Sequence, residues 1–399
     1  MKTLHLCNRV PFPPHDGGAI GIYDIISNLT AVGCNVTVLA INTPKHFQPD
    51  EVLQDRARLI TVFVNTNISV TKAFFNLFTS IPYIFDRFIS PAYTAKLIEL
   101  LRSETFDIIQ VEGSQMAWYV PTIRQYSQAP IVLRAHNVEY TIWQRLAQHE
   151  KNLLKKIYLR YTAKQVRKFE QAYFQQFDAI AAITPHDEER IRDLGCQTRV
   201  AIIPAGVEMS RFVRNEAIRP KPKSLFMLGS LNWMPNQEGI NWFLEKIWPI
   251  ISQEVPDLEL HIAGSSPPEE LINLRVPNVT VHGFVPDAAA FMQQYELMVV
   301  PLLSGGGMRI KIVEGMGVGK CILTTPIGAE GISITPNENI LIGDTSDAWI
   351  EILRAYCQGK LPINQIAQNA ATFIQQEYDN RLVIKKYLAL YSTIISFKY

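Results

Sequence analysis

The stretch "NEAIRPKPKS", residues 215–224, decides how this chain is organised. Proline and lysine displace apolar residues there, as in a linker between folded units. On either side, apolar runs of strand length alternate with amphipathic helical patterns, which predicts an α/β chain with parallel sheets. Upstream, "KTLHLC", "NVTVLAI", "LITVFV", "FDIIQVEG", "APIVLRAH" and "FDAIAAIT" read as strands. Between the first two, "GGAIGIYDIISNLTAVG" reads as a helix closed by Gly33, where a left-handed backbone favours glycine. Downstream a second series begins with "SLFMLGS", "LELHIAG", "VTVHGFV", "ELMVVPLL", "CILTT" and "NILIGD". The two series predict two Rossmann-like lobes, residues 1–215 and 216–379, facing a central cleft at the carboxyl ends of their strands. A last helix, 380–399, can pack on its own lobe or cross back to the N-terminal one.

The 399 residues, 47% hydrophobic and 19% charged, suit roughly two to three globular domains. A formal net charge of +1 gives no global reason to expect nucleic acid as a partner. The five cysteines (Cys7, Cys34, Cys196, Cys321 and Cys357) are scattered and form no C-x-x-C pair. That pattern predicts neither a disulfide framework nor a structural zinc, and no metal ligand cluster is expected. "TLHLC" is too short for the apolar core of a signal peptide, and no run approaches the roughly 20 residues of a membrane span. A cytoplasmic protein is expected, with any membrane contact peripheral on the inner face.

The chemistry concentrates in "PLLSGGGMRIKIVEGMGVG", residues 301–319. Gly305, Gly306 and Gly307 end an apolar run, and Arg309 and Lys311 fall in what reads as the first turn of a helix. Cations are disfavoured there, because the helix N-terminus carries unsatisfied N–H groups and partial positive charge. A bound anion reverses the argument. Gly306, Gly307 and Met308, with the N–H groups that follow, predict a concavity for phosphate oxygens. Arg309 and Lys311 supply the charge that a diphosphate demands, and Glu314, one turn on, can accept hydrogen bonds from a ribose diol. The bland alternative is an ion pair between Lys311 and Glu314 on a solvated helix, worth about 0.2–0.5 kcal/mol. That alternative leaves the glycines and the cationic first turn unexplained.

In the first series, "PFPPHDGGAIGIYD" offers Gly17 and Gly18 at a strand-to-helix turn, either a tight turn or an anion-binding helix start. The dinucleotide spacing G-x-G-x-x-G is absent. "VLRAHNVEY" puts His136 at a strand's carboxyl end, where open α/β sheets bind ligands, with Glu139 placed to orient the ring or touch substrate. "QVEGSQMAWY" ends another strand at Glu112, which either binds acceptor hydroxyls or caps the next helix. The segment 151–168, "KNLLKKIYLRYTAKQVRK", lacks acidic residues. Its apolar stripe (Leu154, Ile157, Tyr158, Tyr161, Val166, Phe169, Tyr173) predicts a helix packed on its own lobe or a dock for an anionic membrane.

Taken together, "VVPLLSGGGMRIKIVEGMGVGKCILTTPIGAEGI", "LGSLNWMPNQEGINWFLEKIWPII", "HDGG" and "RAHNVEY" resemble the retaining family 4 glycosyltransferases of GT-B fold, in particular a bacterial branch associated with polysaccharide and glycoconjugate assembly. The resemblance covers both lobes. It implies a nucleoside-diphosphate sugar held mainly by the C-terminal lobe and an acceptor on the N-terminal lobe. It further implies that Glu314 binds the nucleotide ribose, that His136 contacts the transferred sugar, and that Gly17 and Gly18 lie near the diphosphate and the acceptor. Three positions depart from the pattern. Gly306 stands where the family has its first motif glutamate, Ser230 where it has an arginine, and Asn236 and Gln237 where it has a lysine. Arg309 and Lys311 are then expected to replace the missing cations.

The function expected is transfer of a sugar, with retention, from a nucleoside-diphosphate sugar to a hydroxyl of a glycan or lipid-linked acceptor. The leaving diphosphate would take the acceptor's proton, and neither cofactor nor metal would be required. A nucleotide-sugar epimerase of the same fold and a non-catalytic sugar-nucleotide-binding subunit are the alternatives.

Overall fold

The predicted apolar runs become strands of two parallel sheets in a computed structural model. The structure describes the chain apart from residues 15–16, 70, 72–74, 77–78, 80, 151, 210–216, 306–307 and 397–399, and the side chain of His149. The chain divides into one unit of Met1–Gly206 with Asn380–Tyr399 and another of Val207–Asp379.

The first unit holds β1 (Lys2–Cys7), β2 (Asn35–Asn42), β3 (Arg58–Phe63), β4 (Ile108–Glu112), β5 (Ile131–Ala135), β6 (Ala179–Ala182) and β7 (Arg199–Ile202). They form one sheet in the order β3-β2-β1-β4-β5-β6-β7, so the chain reverses its direction of travel between β1 and β4. The short edge strand β7, half exposed, escapes the sequence reading because it has no buried apolar run of its own. Side chains alternate across the sheet. Leu4 and Leu6 enter one apolar cluster, and Cys7 the other, beneath the helix Gly17–Ala31. The helix Asn380–Ser396 packs on that same face through Val383, Ile384, Tyr387, Tyr391 and Ile394, at helical spacing.

The second unit holds β8 (Lys221–Leu228), β9 (Glu259–Ala263), β10 (Val279–Gly283), β11 (Tyr295–Val300), β12 (Cys321–Thr324) and β13 (Leu341–Ile342), in the order β10-β9-β8-β11-β12-β13. The chain enters and leaves this unit side by side, with the Val207 N–H donating to the Tyr378 carbonyl at 2.8 Å.

The linker expected at 215–224 differs from what the structure holds. The division between units falls at Gly206 and Val207, and Lys221–Ser224 already belong to β8, a central strand. Proline is tolerated there because it sits at the strand's entry, where Lys223 turns left-handed (φ 51) and the register with β11 shifts.

The acid-free segment forms the first part of a helix, Leu153–Phe174, and its stripe divides. Val166 and Phe169 are buried, but Leu153, Leu154 and Ile157 are 70%, 79% and 54% exposed. Packing on its own unit therefore accounts for the second half of the helix and not for its start.

Candidate functional site

In the first unit, strand alternation brings polar side chains together on the face under the helix Gly17–Ala31. His5 of β1 lies beside Gln110 of β4, and Glu112 lies between Cys7 of β1 and Arg134 of β5. Glu112 is buried. Its Oε1 accepts from Gln110 Nε2 at 2.6 Å and from His5 Nδ1 at 3.2 Å. Its Oε2 accepts from His136 Nε2 at 3.1 Å and lies 3.6 Å from Arg134 Nη1. Burial alone would raise this carboxyl. The hydrogen bonds from His136 and His5, with the Arg134 charge, outweigh burial and hold it well below the usual range. Gln110 in turn accepts from the hydroxyl of Tyr391, and Tyr387 lies against Arg134, so the C-terminal helix completes the network.

A carboxylate can only accept, so His136 must donate from Nε2, which leaves Nδ1 as the ring's acceptor. Burial and the Arg134 charge lower its pKa, against the pull of Glu112, and keep the ring neutral at pH 7. Glu112 neither caps the turn after β4, whose cap residue is Gly113, nor stays free for an acceptor; it orients the histidine. The orienting role expected of Glu139 thus belongs to Glu112. Glu139 opens the helix Glu139–His149 and accepts from Gln115 Nε2 at 3.2 Å, and burial pushes its carboxyl up to about 7. Glu170, which the sequence did not signal, caps that helix from outside. It accepts from the N–H groups of Glu139 at 2.8 Å and Tyr140 at 3.1 Å, and from Ser114 Oγ at 3.0 Å. Burial and then the Glu139 charge push it up to about 8.

A cleft of about 770 Å³ opens above these strand ends, lined by Gly18, Glu112, His136 and Glu139 among others. Gly17 is exposed at the start of the helix Gly17–Ala31, and His15 and Asp16 of the "HDGG" run lie outside the described residues.

In the second unit, Arg309 is the N-cap of the helix Ile310–Gly317 and makes no side-chain capping bond. Gly306 and Gly307 lie outside the described residues, and Met308 packs against the apolar cluster around Ile312 and Met316. The buried Arg309 guanidinium sits 5.8 Å from the Trp233 ring centroid. Lys311 Nζ donates to Asn236 Oδ1 at 2.7 Å, and Asn236 Nδ2 donates to the Ser230 carbonyl at 2.8 Å. The ion pair of Lys311 with Glu314 is not what forms: the ammonium turns to Asn236, and half-buried Glu314 keeps its place one turn on. Burial, then the nearby Arg309 charge, lowers the Lys311 pKa to about 7.

The walls around Lys311 are backbone. A Cβ on Gly229 would lie 3.0 Å from Asn236 Nδ2 and 3.4 Å from Lys311 Nζ, and one on Gly264 would collide with the Gly229 carbonyl at 1.6 Å. Ser230 and Ser265, next to these glycines, approach to 3.4 Å between hydroxyls. Lys311 thus brings its ammonium to the positions, Ser230 and Asn236, where the resemblance expects cations. Among the described residues, no group of three or more His, Cys, Asp and Glu is arranged to hold a metal ion.

Two parallel α/β units, each with polar or cationic groups gathered at strand ends, define the GT-B glycosyltransferase class. Residues 15–211 match the family model described as Glycosyltransferase Family 4, and residues 222–358 the one described as Glycosyl transferases group 1. The chain belongs to the family 4 type of glycosyltransferases. A curated relative, the "Uncharacterized 44.6 kDa protein in cps region" of Klebsiella pneumoniae, is 21% identical over 394 residues, covering 96% of this chain and 97% of the relative. Solved structures share the fold. Sucrose-phosphate synthase from Thermosynechococcus elongatus superposes with a TM-score of 0.72 at 16% identity, covering 99% of this chain and 100% of that one. HepE from Anabaena in complex with UDP gives a TM-score of 0.70 at 12% identity, covering 98% and 100%.

Proposed function

We propose that this glycosyltransferase moves a sugar, with retention, from a nucleoside-diphosphate sugar to a hydroxyl of a glycan or lipid-linked acceptor. The carrying observation is the half-buried Lys311 ammonium beside Gly229 and Asn236, with the Arg309 guanidinium next to it. Two neighbouring cations inside a protein repel, and a diphosphate removes that cost. The HepE structures in complex with UDP and with UDP-glucose support a uridine nucleotide as the first donor to try. In this reading the leaving diphosphate takes the acceptor proton while Arg309 and Lys311 meet its growing charge, without a metal. Glu314 binds the ribose, and the Gly306–Gly307 backbone and the Met308 N–H line the phosphates. His136, with Nδ1 as an acceptor, takes a hydrogen bond from a hydroxyl of the transferred sugar. Ser230 and Gly17–Gly18 contact the diphosphate side, and Glu139 contacts the acceptor. Retention is carried over from the family resemblance. The relative in a cps region supports polysaccharide assembly as the setting.

Incubation with a panel of UDP-, GDP- and ADP-sugars tests the reading. Release of nucleoside diphosphate only with acceptor supports transfer. An altered sugar without release would mean epimerisation, and tight binding without either would mean a non-catalytic subunit. The anomeric configuration of the product decides retention.

No helix among the described residues is long and apolar enough to cross a membrane. We place the protein in the cytoplasm, docked on the anionic inner face of the membrane by the start of the helix Leu153–Phe174. Leu153, Leu154 and Ile157 stand exposed there, next to Lys155, Lys156 and Arg160. Changing Lys155, Lys156, Arg160 and Lys164 to Gln should cost about 1 kcal/mol per surface charge in binding to anionic vesicles. Wild-type protein that ignores such vesicles at low salt would refute the dock.

A further inference from the structure

The cleft of the first unit has two chemically different halves. Above β4 and β5 it presents His136 and Glu139. Above β1 and β2 it presents Arg9 and Lys45, joined by Arg87 from the turn after Tyr83–Asp86. The carboxylates that line the cleft do not answer Arg87 or Lys45. Glu112 is already engaged by Gln110, His5, His136 and Arg134, and Glu139 by Gln115.

Arg87 carries the most information. It is half-buried, and its guanidinium lies 5.4 Å from the ring centroid of Phe88, which restrains it. Its Nε is buried and donates to nothing. Among the described residues no carboxylate pairs with Arg87 or Lys45. Buried donors are rarely left unmet, and a guanidinium held at a cleft wall with an unanswered N–H is matched to an incoming oxyanion. Lys45 stands on the tight turn Pro44–His46, which Thr43 Oγ1 fixes by accepting from the His46 N–H at 3.2 Å. Arginine and lysine thus line, from two separate loops, the same cleft as the histidine.

We propose that the acceptor substrate carries a phosphate or diphosphate group, bound by Arg87 with Lys45 and Arg9, while its reacting hydroxyl lies toward His136. This rests on the glycosyltransferase reading and adds the acceptor's class. A phosphorylated sugar in solution and the diphosphate of a lipid-linked glycan present the same oxyanions.

The test is binding by calorimetry to the full chain, with wild type, Arg87→Gln and Lys45→Gln. Inorganic pyrophosphate, glucose 6-phosphate and a short polyprenyl diphosphate in detergent micelles are the probes, with glucose as the uncharged control. Wild type is expected to bind at least one phosphate probe and not glucose at the same concentration. Arg87→Gln should weaken that binding about tenfold or more, the worth of a lost charge-assisted hydrogen bond. Lys45→Gln, an exposed change that folding tolerates, should weaken it in the same direction. Affinity for the preferred nucleoside-diphosphate sugar should stay within about twofold in both variants. Arg87-dependent binding of the sugar phosphate identifies a soluble acceptor, and binding of the polyprenyl diphosphate alone identifies a lipid-linked one. Equal loss of nucleotide and phosphate binding in Arg87→Gln would assign these cations to the donor and overturn the proposal. Phosphate probes that fail to bind wild type, or bind all three proteins alike, would also overturn it. Neither result touches the glycosyltransferase reading, which stands or falls on nucleotide-sugar turnover.

Discussion

Replacing Lys311 with Met removes a charge and keeps the chain length, and the structure assigns the change two opposite effects. In the folded protein without ligand, burial and Arg309 lower the Lys311 pKa to about 7 from an ordinary 10.5. A lowered lysine pKa means that the unfolded chain binds more protons between pH 7 and 10.5. Stability contributed at this site is therefore lowest below pH 7 and is recovered as pH rises toward 10.5. At about 1.4 kcal/mol per pKa unit, the fall from 10.5 to about 7 makes holding the charge cost on the order of 5 kcal/mol at pH 6. Losing the Lys311–Asn236 hydrogen bond returns about 0.5–1.5 kcal/mol of that gain. Lys311→Met should then stabilise the unliganded protein by on the order of 4 kcal/mol at pH 6, with the advantage shrinking as pH rises. Binding of a nucleoside-diphosphate sugar should weaken by about 1.5–3 kcal/mol. A bound diphosphate also raises the Lys311 pKa, so wild-type binding at pH 8 takes up close to one proton and weakens as pH climbs above 7. Denaturant melts at pH 6 and 9 read the first effect. Calorimetry in two buffers of different ionisation enthalpy reads the proton. Unchanged ligand affinity in Lys311→Met, with no proton uptake by wild type at pH 8, would refute the diphosphate assignment.

Three further outcomes are expected. Gly21→Ala, mid-helix, would ordinarily stabilise by about 1 kcal/mol. Here the new Cβ would meet Arg134 Nη2 at 2.8 Å, so urea denaturation should show a loss of about 1–3 kcal/mol, and a gain would contradict the packing described. Glu170, pushed up to about 8, and Glu139, to about 7, contribute stability that is fully present below pH 4.5 and is lost as pH rises through 7–8. Glu170→Gln should flatten the fall in denaturation midpoint between pH 5.5 and 8.5, and an unaltered slope would remove Glu170 as its source. His136→Ala should cut turnover by about 10²-fold or more and leave nucleotide affinity intact, so steady-state kinetics with an unchanged turnover number would take His136 out of the site.

Much of this molecule is legible from local pattern. The runs that become β1–β6 and β8–β13 are apolar over strand length, and Gly33 takes the left-handed backbone (φ 87) that its place after a helix demands. The anomaly at Arg309 and Lys311 is also visible, because a helix start has a known sign of charge. A weaker signal was available for the buried network. Gln110 and Glu112, like Arg134 and His136, are polar residues two apart in or just beyond otherwise apolar strands, and such spacing puts both on one face.

What the alternation leaves open is which strand lies beside which. Glu112 meets Arg134 because β4 and β5 are neighbours, and His5 because a crossover lays β4 against β1, with 107 residues between them. Lys311 reaches Asn236 across 75 residues, and Tyr391 reaches Gln110 across 281. Helical and strand periods fix the direction of a side chain only relative to its own element. Whether Glu112 caps a turn or orients His136, and whether Lys311 turns to Glu314 or to Asn236, depends on the burial and partners that packing supplies. Sequence by itself therefore determined the strands, the glycine turns and the misplaced cations, whereas tertiary contact alone decided which groups are desolvated, which pKa values move, and which histidine nitrogen remains to accept a substrate hydroxyl.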